Sequence, residues 1–378
     1  MRTKAVVLGC GLVGATIARD MAEDERFDVR VVDANTEALA KLKQRVKVET
    51  TATDLSDPAR VRDAIKDAGI VLGALPSRFG FQTLRAVIEA RKPYCDISFM
   101  PEDALQLDKL AKDHGVTAVV DCGVSPGLSN LMIGYARAQM DRAERAEIYV
   151  GGLPKARHWP FQYKAPFAPS DVIEEYTRPA RLREHGEVVV RPALSEPELM
   201  DFPQVGTLEA FNTDGLRSLL DTVDIPSMKE KTLRYPGHIE LMRAMRETGL
   251  FGTEEIEVRG VRVRPLDVTS KLMFPKWTYQ PGEEEFTVLR VIVEGVKNGT
   301  PARQVFDLYD ETDRTTGTSS MARTTAFPCT IVARMLADGT IREHGVLPPE
   351  RFAAQAGVYE RIVAELGRRG VKIRHTVT

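Results

Sequence analysis

The sequence predicts an α/β protein, a doubly wound parallel sheet carrying an inserted α/β domain built on a mixed sheet. Three observations predict it. The chain opens on an apolar strand, Ala5-Val6-Val7-Leu8, that runs straight into Gly9-Cys10-Gly11-Leu12-Val13-Gly14 and a helical Ala15–Met21. Strand-like and helix-like stretches alternate up to Gly123, the pattern of a parallel sheet with helices on both faces. After Gly123 the alternation stops, and the chain reads as loop-rich to Gly317 before turning helical over 319–336.

The opening segment assigns a separate physical task to each residue. Gly9 permits a tight turn, Gly11 lets backbone approach a pyrophosphate, and Gly14 lets the helix pack close to the strand, with Leu12 and Val13 completing the loop. The helix start presents free N–H groups and a positive dipole end to phosphate. Asp33 ends the second strand, Val29–Val32, and can accept hydrogen bonds from a ribose diol. Its charge repels a 2′-phosphate, so the expected cofactor is NAD rather than NADP. The alternative is a turn that needs its glycines for packing alone.

The remaining strands of the first domain read at Lys47–Thr51, Ile70–Ala74, Tyr94–Ile97 and Thr117–Val120. Helices fall between them at 36–44, 57–67, 80–90 and 101–113. Beyond Gly123, Glu147–Gly152 reads as a strand ending in a Gly-Gly turn, and further strands read at 186–191, 255–263 and 285–294. Phe286–Val293 suits a central strand with Val305–Asp310 as its hairpin partner. The expected division is residues 1–123 with 318–378 for the nucleotide domain, and 124–317 for a substrate and dimerisation domain.

Composition excludes several function classes. The chain has 378 residues, 43% hydrophobic and 28% charged, with a net charge of −2. That is an ordinary globular composition with no basic stripe for nucleic acid. The chain enters its first strand within a few residues, and no apolar run approaches the roughly 18 residues of a membrane span. A cytoplasmic protein acting on a small molecule is expected. The four cysteines form no Cys-x-x-Cys pair and read as buried free thiols. The six histidines lack metal-ligand spacing, so no metal is expected.

Several residues can carry chemistry. Asp54, after the third strand, suits contact with adenine or an N-cap equally. Leu75-Pro76-Ser77 follows the fourth strand, where Ser77 serves a cofactor or caps the next helix. Asp96 and Asp121 end neighbouring strands, where ligands of such sheets bind, and suit a substrate ammonium or a proton relay. Ser125–Asn130 can offer N–H groups at a helix start. Tyr163 and Lys164, in an apolar aromatic segment, are candidates for proton transfer, and His238 for a general base. Arg178 and Arg323 are candidate clamps for a carboxylate. Packing or capping is the competing reading for each.

These stretches resemble the saccharopine dehydrogenase-like superfamily, and within it the L-lysine 6-dehydrogenase branch. The resemblance rests on Val6–Gly14, Tyr94–Ser98, Asp121–Gly127, Phe161–Phe167, Phe211–Leu216, Thr232–His238 and Thr318–Thr325. It implies a Rossmann domain completed by the C-terminal helices, and an inserted domain that helps to make a homodimer or higher homo-oligomer. The implied chemistry is NAD-dependent oxidative deamination of the ε-amino group of L-lysine to 2-aminoadipate 6-semialdehyde, which cyclises to a piperideine carboxylate. Relatives also reduce imines, as saccharopine- or carboxynorspermidine-type reductases. A non-catalytic NAD-binding protein is the third reading. For lysine oxidation a base must first remove a proton from the ammonium, with His238, Asp96 and Tyr163–Lys164 as candidates. Arg178 or Arg323 would take the α-carboxylate, and Asp96 or Asp121 the α-ammonium.

Overall fold

The computed structural model describes residues 2–378. They form two compact units. The first comprises 2–140, Arg217–Val223 and Ala322–Ile373, and the second Asp141–Leu216, Asp224–Met321 and Arg374–Thr378. In the structure the first unit runs on to residue 140. The helix Leu128–Ala138 is almost wholly buried and belongs with the first unit. A Cβ on its Gly134 would meet the backbone oxygen of Glu350 at 2.6 Å, so glycine there permits close packing.

The first unit is a seven-stranded, all-parallel sheet. Thr3–Leu8 lies at its centre, flanked by Phe27–Asp33 on one side and Ile70–Gly73 on the other. Outward from these come Glu49–Ala52 on the first side, then Tyr94–Asp96, Thr117–Val119 and Gly345–Leu347 on the second. Strand order reverses beside Thr3–Leu8, which opens a crevice at the carboxyl ends of that strand and Ile70–Gly73. These are apolar runs because both faces are covered: Val6, Leu8 and Val71 pack with Leu84, Val87 and Ile88 of the helix Ser77–Glu89. The strand Gly345–Leu347, far away in sequence, was not anticipated.

The second unit is a nine-stranded mixed sheet. Its centre is Arg142–Pro154, parallel to Ser227–Arg234 and antiparallel to Glu285–Lys297, which pairs in turn with Thr300–Glu311 as a long hairpin. Gly151 and Gly152 make no turn; the strand runs through them. A Cβ on Gly151 would meet the Leu233 carbonyl oxygen at 2.7 Å, and one on Gly152 would meet Met321 at 2.5 Å. Residues 255–263 are a two-stranded hairpin, Ile256–Val258 with Val261–Val263, turning at Arg259-Gly260 with both residues at positive φ. The strand read at 186–191 is Glu187–Arg191, and the region expected to be loop-rich carries Ala180–Glu184, Glu198–Phe202 and Gly206–Asn212 besides.

All four cysteines are buried and free. Among the described residues, no helix is long and apolar enough to cross a membrane, and no group of three His, Cys, Asp or Glu side chains is arranged to hold a metal ion.

Candidate functional sites

The crevice of the first unit is lined by the glycine-rich turn. Gly9 has φ +106°, and a Cβ there would meet the Ala74 carbonyl oxygen at 2.4 Å. A Cβ on Gly14 would meet the Gly9 oxygen at 2.3 Å. Packing accounts for both. Gly11 is different: a Cβ there would meet nothing within 4 Å, and it precedes an exposed Leu12 and a half-buried Val13. No contact within the protein requires glycine at Gly11, whereas a pyrophosphate approaching the backbone does. The helix Leu12–Ala22 has no acidic residue in its first turn, which keeps its positive end available to an anion. Asp33 braces the turn. Its Oδ2 accepts the N–H of Cys10 at 2.6 Å and its Oδ1 that of Asn35 at 2.7 Å. These residues fit a dinucleotide.

Three neighbours take places that the sequence left open. Asp54 is exposed and accepts the N–H of Ser56 at 3.0 Å; the N-cap of the helix Pro58–Ile65 is Asp57. Ser77 is the first residue of its helix, whose N-cap is Pro76, and no side chain caps that end. Leu75 packs against the core beside Gly9.

Two buried carboxylates stand at the same sheet edge. Asp96 is fully buried; its Oδ1 accepts the Ser98 hydroxyl at 2.8 Å, and its Oδ2 has no partner. Burial pushes its carboxyl up to about 6 against the pull of Ser98, with Asp121 adding to the rise. Asp121 has a left-handed backbone, φ 51°, and lies 3.6 Å from Nη2 of Arg217, too far for a hydrogen bond. Burial raises its carboxyl and Arg217 opposes the rise. Arg217 is also at positive φ, stands 4.9 Å over the Phe99 ring and leaves its Nε unpaired. Strained backbone at two facing charges marks this edge as a place for a ligand. Arg217 was missed, one residue beyond the Phe211–Leu216 stretch.

The turn before Leu128–Ala138 presents no such opportunity. The N–H groups of Gly127, Leu128 and Ser129 bond to Asn130, Gly123 and Val124 respectively. Arg323 is buried in the helix Ser320–Ala337 and donates to the Arg369 carbonyl at 3.0 Å.

In the second unit, His238 and Tyr163 come together in an aromatic cluster with Tyr176, Trp277 and Phe211. Nδ1 of His238 lies 2.8 Å from the Phe161 carbonyl, which only accepts, so Nδ1 carries the hydrogen. Nε2 therefore accepts from the Tyr176 hydroxyl at 2.9 Å, and that oxygen accepts Nε–H of Arg234 at 3.0 Å. Arg234 also pairs with Glu175 and lies 4.3 Å over the Tyr163 ring. Burial, reinforced by the Arg234 charge, drives His238 down to about 3, so its ring is neutral near pH 7. Its one lone pair is already engaged by Tyr176, which suits positioning better than proton abstraction. Lys164 is held by Glu283 and by the Thr278 carbonyl at 3.3 Å. Arg178 pairs with Glu174 at 3.1 Å, one turn back on its helix.

Comparison with known proteins agrees with this architecture. Residues 5–119 match the profile of the saccharopine dehydrogenase NADP binding domain, and residues 123–371 that of the saccharopine dehydrogenase C-terminal domain. Alpha-aminoadipic semialdehyde synthase of Mus musculus is 22% identical over 96% of the chain and 47% of its own length. The chain thus spans about half the length of the mammalian synthases it matches. Carboxyaminopropylagmatine dehydrogenase of Synechocystis is 23% identical over 94% of the chain and 95% of that protein. The fold matches apo saccharopine dehydrogenase (L-Glu forming) from Saccharomyces cerevisiae over 100% of both chains, with a TM-score of 0.81 at 17% identity.

Proposed function

We propose that this chain, which belongs to the saccharopine dehydrogenase family and is an oxidoreductase with a nucleotide-binding domain, oxidises the carbon–nitrogen bond of an amino-acid amine with NAD. The preferred substrate is L-lysine, deaminated at its ε-amino group to 2-aminoadipate 6-semialdehyde. The observation that carries the cofactor choice is Asp33, whose carboxylate is fixed at the strand end by the N–H groups of Cys10 and Asn35. A fixed negative charge there accepts a ribose diol and opposes a 2′-phosphate. The matching family domain is an NADP binding domain, so a preference for NAD would be particular to this chain.

The dinucleotide supplies the hydride acceptor when bound; the protein's own residues bind, orient and move protons. Gly11 and the start of Leu12–Ala22 receive the pyrophosphate. Asp96 and Asp121, buried at the sheet edge, suit the α-ammonium, and Arg217 joins Arg178 and Arg323 as a candidate for the α-carboxylate. Tyr163 and Lys164, in the second unit, are candidates for proton transfer, with His238 orienting Tyr176. A homodimer working in the cytoplasm completes the reading.

A second reading is an imine reductase that makes a secondary amine. A Vibrio cholerae relative named carboxynorspermidine synthase favours it. Purified protein mixed with NAD and L-lysine separates the two. Equal amounts of NADH and ammonia support oxidative deamination. NAD binding with no turnover of lysine overturns it and promotes reduction of imines with NADPH.

A further inference from the structure

The mixed-sheet unit buries a group of polar atoms whose hydrogen-bonding capacity the fold leaves unsatisfied. Glu285 opens the strand Glu285–Lys297 and is 1% exposed. Its Oε1 accepts the N–H of Met321 at 2.8 Å, at the start of the helix Ser320–Ala337. Its Oε2 is buried without a partner. The Tyr163 hydroxyl is buried and unpartnered as well, and the buried Tyr279 hydroxyl lies by Glu285, whose charged form it favours. These atoms share one neighbourhood. Tyr163 packs edge-on against Trp277 at 5.3 Å, and after burial itself, charge on Glu285 is among the influences that raise both tyrosine hydroxyls.

Helix capping explains only half of Glu285. One oxygen serves Met321, and a glutamine would do this as well without burying a charge. The second oxygen adds only a desolvation cost unless something bonds to it. The unsatisfied set is complementary to one chemical group. A primary ammonium brings three N–H donors and a positive charge. Oε2 of Glu285 and the two tyrosine oxygens are three acceptors, while the Tyr163 ring already lies under Arg234 and the Tyr279 ring under Lys164. An anionic group would be repelled by the carboxylate.

We propose that Glu285 receives the substrate's ammonium group, with Tyr163 and Tyr279 as its further acceptors, and removes its proton. The inference rests on the amine-oxidising reading. In the step, one N–H bond breaks and one O–H bond forms: the ammonium becomes a neutral amine and Glu285 a carboxylic acid. The freed lone pair then assists departure of hydride from the adjacent carbon to NAD. Burial pushes Glu285 up to about 7, against the Met321 N–H, Ser319 and Tyr279, which favour the charged form. Asp310, on the neighbouring strand Thr300–Glu311, pushes it further up. Lys164, 5.9 Å from the Tyr279 ring, is paired with Glu283. A carboxylate that titrates near neutrality is matched to accepting this proton.

The test is calorimetric titration of the NAD-loaded protein with n-butylamine, L-lysine and L-norleucine, which lacks the ε-amino group. Glu285→Gln keeps the bond to Met321 and removes the charge. It should weaken butylamine and lysine by roughly tenfold or more, about 1.4 kcal/mol, and leave norleucine unchanged, while Glu285→Asp recovers part of the loss. In turnover, kcat/KM of the wild type should fall on the acid side of about pH 7, a limb absent from Glu285→Gln. Should Glu285→Gln not fold, Tyr279→Phe, which leaves the cap untouched, must weaken butylamine and lysine and leave norleucine unchanged. Unchanged amine affinity in the variants, or no amine binding by the wild type, overturns the site. A wild type that binds butylamine through Glu285 but makes no NADH from lysine overturns the proposed reaction and leaves the site. Lysine oxidation that is indifferent to Glu285 does the reverse.

Discussion

The Tyr176 hydroxyl donates to Nε2 of His238 across 2.9 Å, and both side chains are buried. Arg234 upstream has only N–H groups to give and the Phe161 carbonyl downstream can only accept, so every hydrogen in the chain points one way. The arrangement holds the neutral ring. It links the helix Pro169–Thr177, the strand Ser227–Arg234 and the helix His238–Glu247 through side chains alone.

His238→Ala should therefore cost about 1–3 kcal/mol for the stranded Tyr176 donor, beyond the loss of ring packing. Urea unfolding measures it. The acid side carries a sign. The folded ring titrates near 3 and an unfolded one near 6.5, so the unfolded state takes the proton first and wild-type stability falls as pH drops from 6.5 toward 3. His238→Gln lacks that loss. Matching acid limbs for the two proteins would contradict the neutral ring.

Gly11 and Gly14 should fail in different ways. Gly14→Ala places a Cβ 2.3 Å from the Gly9 oxygen and should destabilise the free protein by about 1–3 kcal/mol. Gly11→Ala meets no atom; it loses only part of an N-cap preference, under about 1 kcal/mol. Its effect should appear in NAD affinity, weakened by roughly tenfold or more. Thermal melts with and without NAD separate the two. If Gly11→Ala kept full affinity, the pyrophosphate would not sit against that backbone.

The parallel sheet is legible because its strands are short apolar runs closed by glycine or aspartate, as in Ile70-Val71-Leu72-Gly73. The mixed sheet hides because charges sit within it. Ser227–Arg234 contains Lys229, Glu230 and Lys231, and no hydrophobic period survives. Lys231 is buried through Glu198 at 2.8 Å, and Lys229 pairs with Glu147 at 3.3 Å. Gly151-Gly152 reads as a turn because paired glycines usually punctuate, yet here they admit Leu233 and Pro166. The sites follow the same divide. Gly11 and Asp33 are local to one turn and can be read from spacing. Arg217, Tyr176 and Arg234 acquire partners only through tertiary packing. Glu285 starts the strand read at 285–294, directly after Glu283-Glu284, and only the fold buries it.

Asp33 sets a cofactor prediction. Wild-type protein should prefer NAD to NADP. Asp33→Ser removes the charge that opposes a 2′-phosphate while keeping an oxygen for the turn. The ratio of kcat/KM for NAD over NADP should fall by roughly tenfold, about 1.4 kcal/mol. Steady-state kinetics with both cofactors measures this. A wild type that prefers NADP, or a ratio that Asp33→Ser leaves unmoved, removes Asp33 from discrimination.

Glu230 makes stability depend on pH in the opposite sense to His238. It lies within the strand Ser227–Arg234, 3% exposed, with Oε2 accepting the Thr213 hydroxyl and the Gly215 N–H at 3.1 Å. Burial pushes its carboxyl up from 4.5 to about 8, so the folded protein holds a proton that the unfolded chain releases. This contribution is complete below 4.5 and is lost as pH rises through about 8. Glu230→Gln mimics the protonated form and cannot lose it. The variant should gain on the wild type across that window, by at most about 1.4 kcal/mol per pH unit, and the gap should level off above it. Urea unfolding of both proteins from pH 5 to pH 9 measures the gap; parallel curves would mean that Glu230 is ionised in the fold.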